Sequence, residues 1–369
     1  MLLEKPINCS KDSCTGDRQI TCAAAIREAL DLCLAANPAV FLIGEGVPDP
    51  KGIFGTTVGL REKYGPQRVQ DMPLSENGMT GVAIGTCLAG LRPVMVHQRV
   101  DFALLAIDQI VNNAAKWFYM HNGQASIPMV IRMIVGRGWG QGPQHAQSLQ
   151  AMFAHVPGLK VVMPTTAFDA KGLLIASIED NNPVIFLEYR WLHNVTGEVP
   201  AGYYRVPLGE ARLVREGEDL TFVSSSYMTL EAIRAAELLS EINVSVDVID
   251  LRTIRPLDSA TIMRSVRKTG RLVVADTGWT FGGIGAEIIA QVCEQMLGSL
   301  KAPPRRVALP DVPCPSSPAL ARHYYPRSGE LICAAAELLG IESNRWQSLA
   351  CLPDSTPIDV PDRDFAGPF

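Results

Sequence analysis

The sequence predicts an α/β protein of two domains, each built on a largely parallel sheet with helices on both faces. Three observations lead there. Short, predominantly apolar runs (AVFLI, PMVIRMI, LKVVMP, PVIFLE) alternate with helical patterns, which is how strands buried on both faces read. The alternation breaks once, at TGEVPAGYYRVPLGEARLVREGED, and resumes with DLTFVSS and VSVDVIDL. A length of 369 residues allows two separate cores. The expected division is an N-terminal arm at 1–18, a first domain at 19–194, a linker with a possible hairpin at 195–218, a second, smaller domain at 219–342, and a tail at 343–369.

Residues 21–36 have helical periodicity and end near Asn37-Pro38. Strand AVFLI follows, then the loop GEGVPDPKGIFG, a helix at 60–64 and strand RVQDM. Asp-Met-Pro stops that strand, because proline has no amide to give a ladder. Ser75 stands where a helix cap belongs, and Glu76 falls in the first turn, where a carboxylate meets the positive end of the dipole. The helix beyond holds Gly78, Gly81, Ala83, Gly85, Ala89 and Gly90. Each interior glycine costs about 1 kcal/mol against alanine, so this many predict close backbone approach to another helix or to a ligand. Strand RPVMV is expected to run on through Gln98 to Phe102, these two sharing a face and Arg99 pointing the other way.

A helix is expected from 103 to about 119, then strand PMVIRMI, the glycine loop GRGWGQGPQ and a helix from near Ser148. Strand LKVVMP, a helix at 168–178 and strand PVIFLE close the first half. In the second half, helices at 230–239, 260–267, 285–296 and 331–339 alternate with DLTFVSS, VSVDVIDL, RLVVAD and RVALP. The final DSTPIDVPDRDFAGPF is proline-rich and reads as an irregular arm lying across a neighbour.

A composition of 47% hydrophobic and 19% charged residues is globular, and a net charge of -5 argues against a nucleic-acid partner. No apolar run approaches the ~18 residues of a membrane span. The polar start lacks a signal core and is short of arginine, so no membrane association and a cytoplasmic location are expected. None of the nine cysteines is spaced as C-x-x-C. Cys22, Cys33, Cys87, Cys293 and Cys333 lie in helical apolar patterns as small core residues, and Cys9 and Cys14 could pair in the arm. The chain contains no G-x-x-x-x-G-K-[ST], H-E-x-x-H, G-x-S-x-G or G-x-G-x-x-G. What remains as chemistry is Glu76, Phe102, the glycine loop and His145.

DMPLSENGMTGVAIGTCLAGLRPV, DFALLAIDQIVNNAAK, QHAQSLQAMFAHVPGLKVVMP, DAKGLLIASIEDNNPVIFLE and DVIDLRTIRPLD resemble the beta subunits of thiamine-diphosphate-dependent 2-oxoacid dehydrogenases, of the transketolase-like superfamily. The resemblance runs from about Ile20 to Ile341. It implies a transketolase-like pyrimidine-binding domain followed by a transketolase C-terminal domain. The implied activity is oxidative decarboxylation of a 2-oxoacid with thiamine diphosphate and acyl transfer to a lipoyl carrier. Glu76 matches the family acid that exchanges a proton with a pyrimidine ring nitrogen. Phe102 matches the aromatic that stacks on that ring, Leu74 and Met79 belong to its apolar surround, and Gln98 stands where the family often has an apolar residue. His145 matches the histidine facing the substrate; His155 also matches a family position and reads as packing.

Glu45 matches the first acid of a chain thought to link paired sites, and Gly46 replaces the second. Backbone carbonyls at Met129, Ser177, Asp180 and Asn182 correspond to a monovalent-cation site, K+ in kind. The family holds the diphosphate and Mg2+ with G-D-G and a later Asn-Asn, and the chain has no G-D-G. The resemblance therefore implies half a site, completed by an alpha subunit in an α2β2 heterotetramer that serves a lipoyl-bearing acyltransferase. Two alternatives remain open: half of a split transketolase or acyloin-forming synthase, and a non-catalytic scaffold subunit of the same fold.

Overall fold

The computed structural model describes residues 18–137 and 140–351. The expectations placed on the arm, on Cys9 and Cys14, on part of the glycine loop and on the last residues of the tail lie outside them.

Strand β1 (Gln19–Thr21) leads into helix α1 (Cys22–Ala36). Thr21 Oγ1 accepts from the Ala24 amide at 3.1 Å, which gives that helix its N-cap. Ile26, Leu30 and Leu34 line its buried face. Strand β2 (Val40–Gly44) follows, then the short helices α2 (Gly52–Gly55) and α3 (Leu60–Tyr64) and strand β3 (Val69–Gln70). Helix α4 (Glu76–Leu88) and strand β4 (Arg92–His97) come next. Ser75 holds the N-cap position of α4 without a side-chain capping bond; its carbonyl accepts from Met79 at 2.8 Å.

The helix expected at 103–119 is broken into α5 (Val100–Ala103), a 3-10 turn at Leu104–Ala106, a π-helical segment at Gln109–Ala114 and α6 (Trp117–Met120). Strand β5 (Val130–Val135), α7 (Gln150–His155), β6 (Lys160–Val162), α8 (Ala167–Glu179) and β7 (Val184–Tyr189) complete this half.

The hairpin expected at 195–218 does not form. Strand β8 (Thr196–Glu198) pairs back antiparallel with β1, and β9 (Arg212–Arg215) joins the edge of a different sheet. Each segment finds a longer-range partner that completes an existing layer. Then come β10 (Leu220–Ser224), α9 (Tyr227–Ser240), β11 (Val246–Asp250), β12 (Thr253–Arg255), α10 (Ser259–Thr269) and β13 (Leu272–Trp279). Helix α11 (Ile284–Met296), β14 (Arg305–Leu309), α12 (Pro318–Ala321), α13 (Ser328–Leu339) and α14 (Ser343–Ala350) finish the described chain. Part of the tail expected at 343–369 is thus helical, and α14 lays Trp346 and Leu349 against the second core.

A seven-stranded sheet has the order β12-β6-β7-β5-β4-β2-β3 and a five-stranded sheet the order β14-β13-β10-β11-β9. Within each, all pairs are parallel except at one edge, where β12 and β9 run antiparallel. Strand β12 lies beyond the second sheet's first strands in sequence yet adds to the first sheet. Aromatic rings also join the halves: Tyr189 of β7 stacks on Tyr227 of α9 at 5.5 Å, and Trp191 meets Tyr227 edge-on at 5.0 Å.

A buried ion pair sits in the first sheet. Arg132 of β5 donates from Nε (2.6 Å) and Nη2 (2.9 Å) to the two oxygens of Glu188 on β7, and also from Nη2 to Thr56 Oγ1 at 2.9 Å. Burial works against the Glu188 carboxylate, but the Arg132 charge and the His193 hydrogen bond outweigh it and lower its pKa to about 2. Cys22, Cys33 and Cys87 are core residues as expected, their thiols pushed up to about 12 chiefly by burial. Cys293 and Cys333 are only half-buried. Among the described residues, no helix is long and apolar enough to cross a membrane.

Candidate active site

In a parallel sheet the carboxyl ends of the strands point one way and open onto loops, which is where ligands bind. Four adjacent strands of the first sheet deliver the expected residues at that end. Glu45 follows β2, Glu76 follows β3 after the 71–75 turn, Phe102 follows β4 and His145 lies in the long loop after β5.

Glu76 starts α4 and is 8% exposed. Burial, then the charges of Glu76 and Asp71, push the Glu45 carboxyl above its usual range. Glu45 Oε1 is buried without a hydrogen-bond partner, so an acceptor or donor is wanted beside the two carboxyls. Leu74, two residues before Glu76, stands 84% exposed. Met79 is partly buried against the core.

Gln98 does not share a strand face with Phe102. Strand β4 ends at His97, and Phe102 lies inside the short helix α5. Gln98 donates from Nε2 to the Glu45 carbonyl at 3.2 Å. Gly46 explains itself in the same place. Its φ is +69°, and a Cβ there would stand 2.7 Å from Gln98 Nε2 and 3.0 Å from Asp49 Oδ2. The side-chain amide of Gln98 fills the space that an acid at Gly46 would need, and the Gly46 amide donates to Asp71 Oδ1 at 3.0 Å.

Phe102 is half-buried, His145 is exposed, and their rings meet edge-to-face at 5.3 Å with an interplanar angle of 88°. Two of the expected residues are thereby in direct contact. The loop bearing His145 is closed at its base by the Gly136 amide bonding to the Gln147 carbonyl at 3.0 Å. Gln147 Nε2 also donates to Asp101 Oδ1 at 2.8 Å. The sequence offered no role for Arg99. The structure buries it and directs its guanidinium to the Gly136 carbonyl at 2.9 Å and to Gln141 Oε1. Asp71, Asp101 and Gln141 were missed as well; each is an ordinary polar residue whose partner is remote in sequence.

His155 is exposed at the end of α7, lining a groove with Ile254, Pro256, Ile284 and Glu287, where packing was expected. Of the four carbonyls expected to face a monovalent cation, those of Met129, Ser177 and Asp180 each accept a hydrogen bond from within the chain. Asp180 O and Ile178 O both accept from Arg92 Nη1 at 3.0 Å, and Arg92 also bonds Asn181 Oδ1. Met129 O accepts from the Val184 amide at 3.0 Å and Ser177 O from the Asp180 amide at 3.3 Å. Lys160 pairs with the Asp180 carboxylate. The Arg92 guanidinium already brings a positive charge against the Asp180 carbonyl, while the Lys160 ammonium is offset by the Asp180 carboxylate. Among the described residues no group of three His, Cys, Asp or Glu side chains could hold a metal ion.

Comparison with known proteins gives these features a family. The family described as "Transketolase, pyrimidine binding domain" matches residues 18–194, and "Transketolase, C-terminal domain" matches 209–330. The chain is 44% identical over 322 residues to pyruvate dehydrogenase E1 component subunit beta-2, mitochondrial, of Oryza sativa subsp. japonica, covering 86% of each chain. It is 42% identical over 332 residues to the beta subunit of acetoin:2,6-dichlorophenolindophenol oxidoreductase of Cupriavidus necator, covering 87% of this chain and 98% of that one. A pyruvate dehydrogenase E1 component subunit beta of Rickettsia felis is 42% identical over 320 residues, with 87% and 98% covered. Among solved structures, a split gene transketolase in an inactive beta4 tetramer superposes with a TM-score of 0.73 over 87% of this chain and 99% of that one; at 23% identity it speaks to the fold alone. On the strength of these relatives and of the two matched domains, the chain belongs to the family of beta subunits of thiamine-diphosphate-dependent 2-oxoacid dehydrogenases.

Proposed function

We propose that this beta subunit acts in oxidative decarboxylation of a 2-oxoacid, with Glu76 as the acid that activates the coenzyme and His145 as the residue facing the substrate. The carrying observation is the carboxyl pair: a buried glutamate at a helix start, its charge felt by Glu45, whose buried Oε1 has no hydrogen-bond partner. These residues fit an aminopyrimidine. Glu76 would meet a ring nitrogen, Phe102 would stack on the ring, and Leu74, Gln98 and the Glu45 main chain would border it. When bound, thiamine diphosphate supplies a nucleophilic carbon and an electron sink for decarboxylation.

This chain's own part is proton handling and placement. Glu76 gives and takes a proton at the ring nitrogen, in a setting dry enough to strengthen that hydrogen bond. Glu45, its carboxyl pushed above the usual range by burial and by the charges of Glu76 and Asp71, is the second acid beside that position. The His145 imidazole, exposed on this chain and set at right angles to the Phe102 ring, can hydrogen-bond a substrate carboxylate.

The alpha subunit is the partner, and the reading assigns to it the diphosphate and its Mg2+, because the chain lacks G-D-G. An α2β2 assembly serving a lipoyl-bearing acyltransferase follows from the same reading. For K+ the reading is that the Arg92 guanidinium, bonded to the Asp180 carbonyl, competes with a cation for that one of the four expected carbonyls. The test is Glu76→Gln, assembled with the alpha chain and assayed on pyruvate and branched-chain 2-oxoacids with a dye acceptor, with and without lipoyl protein. Loss of general acid–base help predicts a fall of about 10²–10⁴-fold in kcat. Full activity in that variant would return the chain to the scaffold reading.

A further inference from the structure

We infer that Arg99 is the positioning residue that fixes where His145 stands, by latching the glycine loop to the turn that carries Phe102. The inference rests on the reading of His145 and Phe102 as site residues.

A single turn, 99–102, grips the loop at separate points. Arg99 Nη1 holds the Gly136 carbonyl at 2.9 Å, at the loop's entrance. Its other arm, Nη2, holds Gln141 Oε1 in the middle. Asp101 Oδ1 takes Gln147 Nε2 at 2.8 Å, at the exit. The Phe102 ring receives the His145 ring edge-on at 5.3 Å. Among these grips only Arg99 reaches the stretch just before His145. There the chain turns at once, with the His145 amide bonded to the Gly142 carbonyl at 3.1 Å. Fixing Gln141 therefore fixes the turn that presents the imidazole.

The chemistry suits arginine and no other residue. Two acceptors lie in different directions, and a planar fork with donors on both arms serves them at once, whereas an ammonium is a single point. Arg99 is 2% exposed, and its guanidinium carbon lies 5.5 Å from the Phe54 ring centre, which limits its freedom to swing. Both hydrogen bonds of its arms end on neutral oxygens. A buried cation so placed is a costly way to add stability, and an effective way to hold a loop in one geometry.

The experiment uses the enzyme assembled with its alpha chain and assayed on pyruvate and 3-methyl-2-oxobutanoate. It compares Arg99→Lys, Gln141→Ala, the double variant and His145→Gln. Misplacement of a reacting group by about 1 Å costs about 10²-fold, so Arg99→Lys should lose about 10- to 100-fold in kcat with KM changed far less. It should also lose the same limb of the pH profile of kcat/KM that His145→Gln loses, and the double variant should be no worse than Arg99→Lys. Wild-type kcat and pH profile in Arg99→Lys, or multiplicative losses in the double variant, overturn the proposal while leaving the site reading intact if His145→Gln is impaired. Should Arg99→Lys not assemble, Gln141→Ala decides: an unchanged kcat and pH profile overturns the latch. Full activity in His145→Gln removes the site reading and the latch together.

Discussion

Gly136 offers the sharpest link between backbone geometry and the site. It ends β5 with φ at +74°, and its carbonyl is the one that Arg99 holds. An alanine Cβ there would stand 2.5 Å from Tyr189 Cε2 and 2.6 Å from Cζ. That ring cannot step aside, because it is stacked on Tyr227 at 5.5 Å and wedged against Trp191 at 5.8 Å. The left-handed backbone costs a residue with a Cβ about 1–2 kcal/mol, and forcing atoms into a filled core adds about 1–3 kcal/mol. Gly140 is the internal control. Its φ is +65°, yet nothing lies within 4 Å of its would-be Cβ, so Gly140→Ala bears only the backbone cost. Thermal melts of the assembled enzyme should therefore drop several degrees further for Gly136→Ala than for Gly140→Ala. The displaced loop should also lower kcat in Gly136→Ala. Equal melting losses in the two variants would refute the steric argument, since they share the backbone cost and differ only in the Tyr189 collision.

The remaining predictions concern charge. Arg132→Met leaves the Glu188 carboxylate buried without its bidentate partner and should cost about 3–5 kcal/mol in urea titrations; adding Glu188→Leu should recover much of that loss. Asp250 is fully buried, and burial followed by the Asp169 charge raises its pKa to about 7. A raised folded-state pKa gives a contribution fully present below about pH 4, lost progressively as pH rises to about 7 and flat beyond. Asp250→Asn should remove that decline, so its stability advantage over the wild type grows between pH 5 and 7 by urea titration; parallel pH curves would contradict it. Exchanging Na+ for K+ should leave wild-type activity and melting temperature unchanged, whereas Arg92→Ala should melt lower and gain a response to K+, because three oxygens at the end of α8 lose their cation.

How much of this was readable beforehand differs from element to element. Helix α1 was legible to within a residue, since Thr21, the apolar stripe and Asn37-Pro38 are all local signals. Runs rich in apolar residues named the inner strands of both sheets but not the antiparallel edge strands β9 and β12. The 103–119 segment read as one helix because its periodicity is helical throughout, and periodicity does not register a change from α to π winding. Phe102 was recognised as a site residue but misplaced on a strand, because the end of β4 and the start of α5 share one apolar pattern. Glu45, Glu76, Phe102 and His145 came from matched blocks; what connects them did not.

By itself the sequence determined most of the inner strands and longer helices, and the blocks that mark it as one of these beta subunits. Such information is carried by neighbours a few residues apart. Only the tertiary structure decided that β12 closes the first sheet's edge, that β8 returns to β1, that Arg92 bonds the Asp180 carbonyl, and that Arg99 grips the glycine loop. Each of these is a choice among distant partners, made by burial and directed hydrogen bonds once the layers have come together, and no local pattern encodes such a choice.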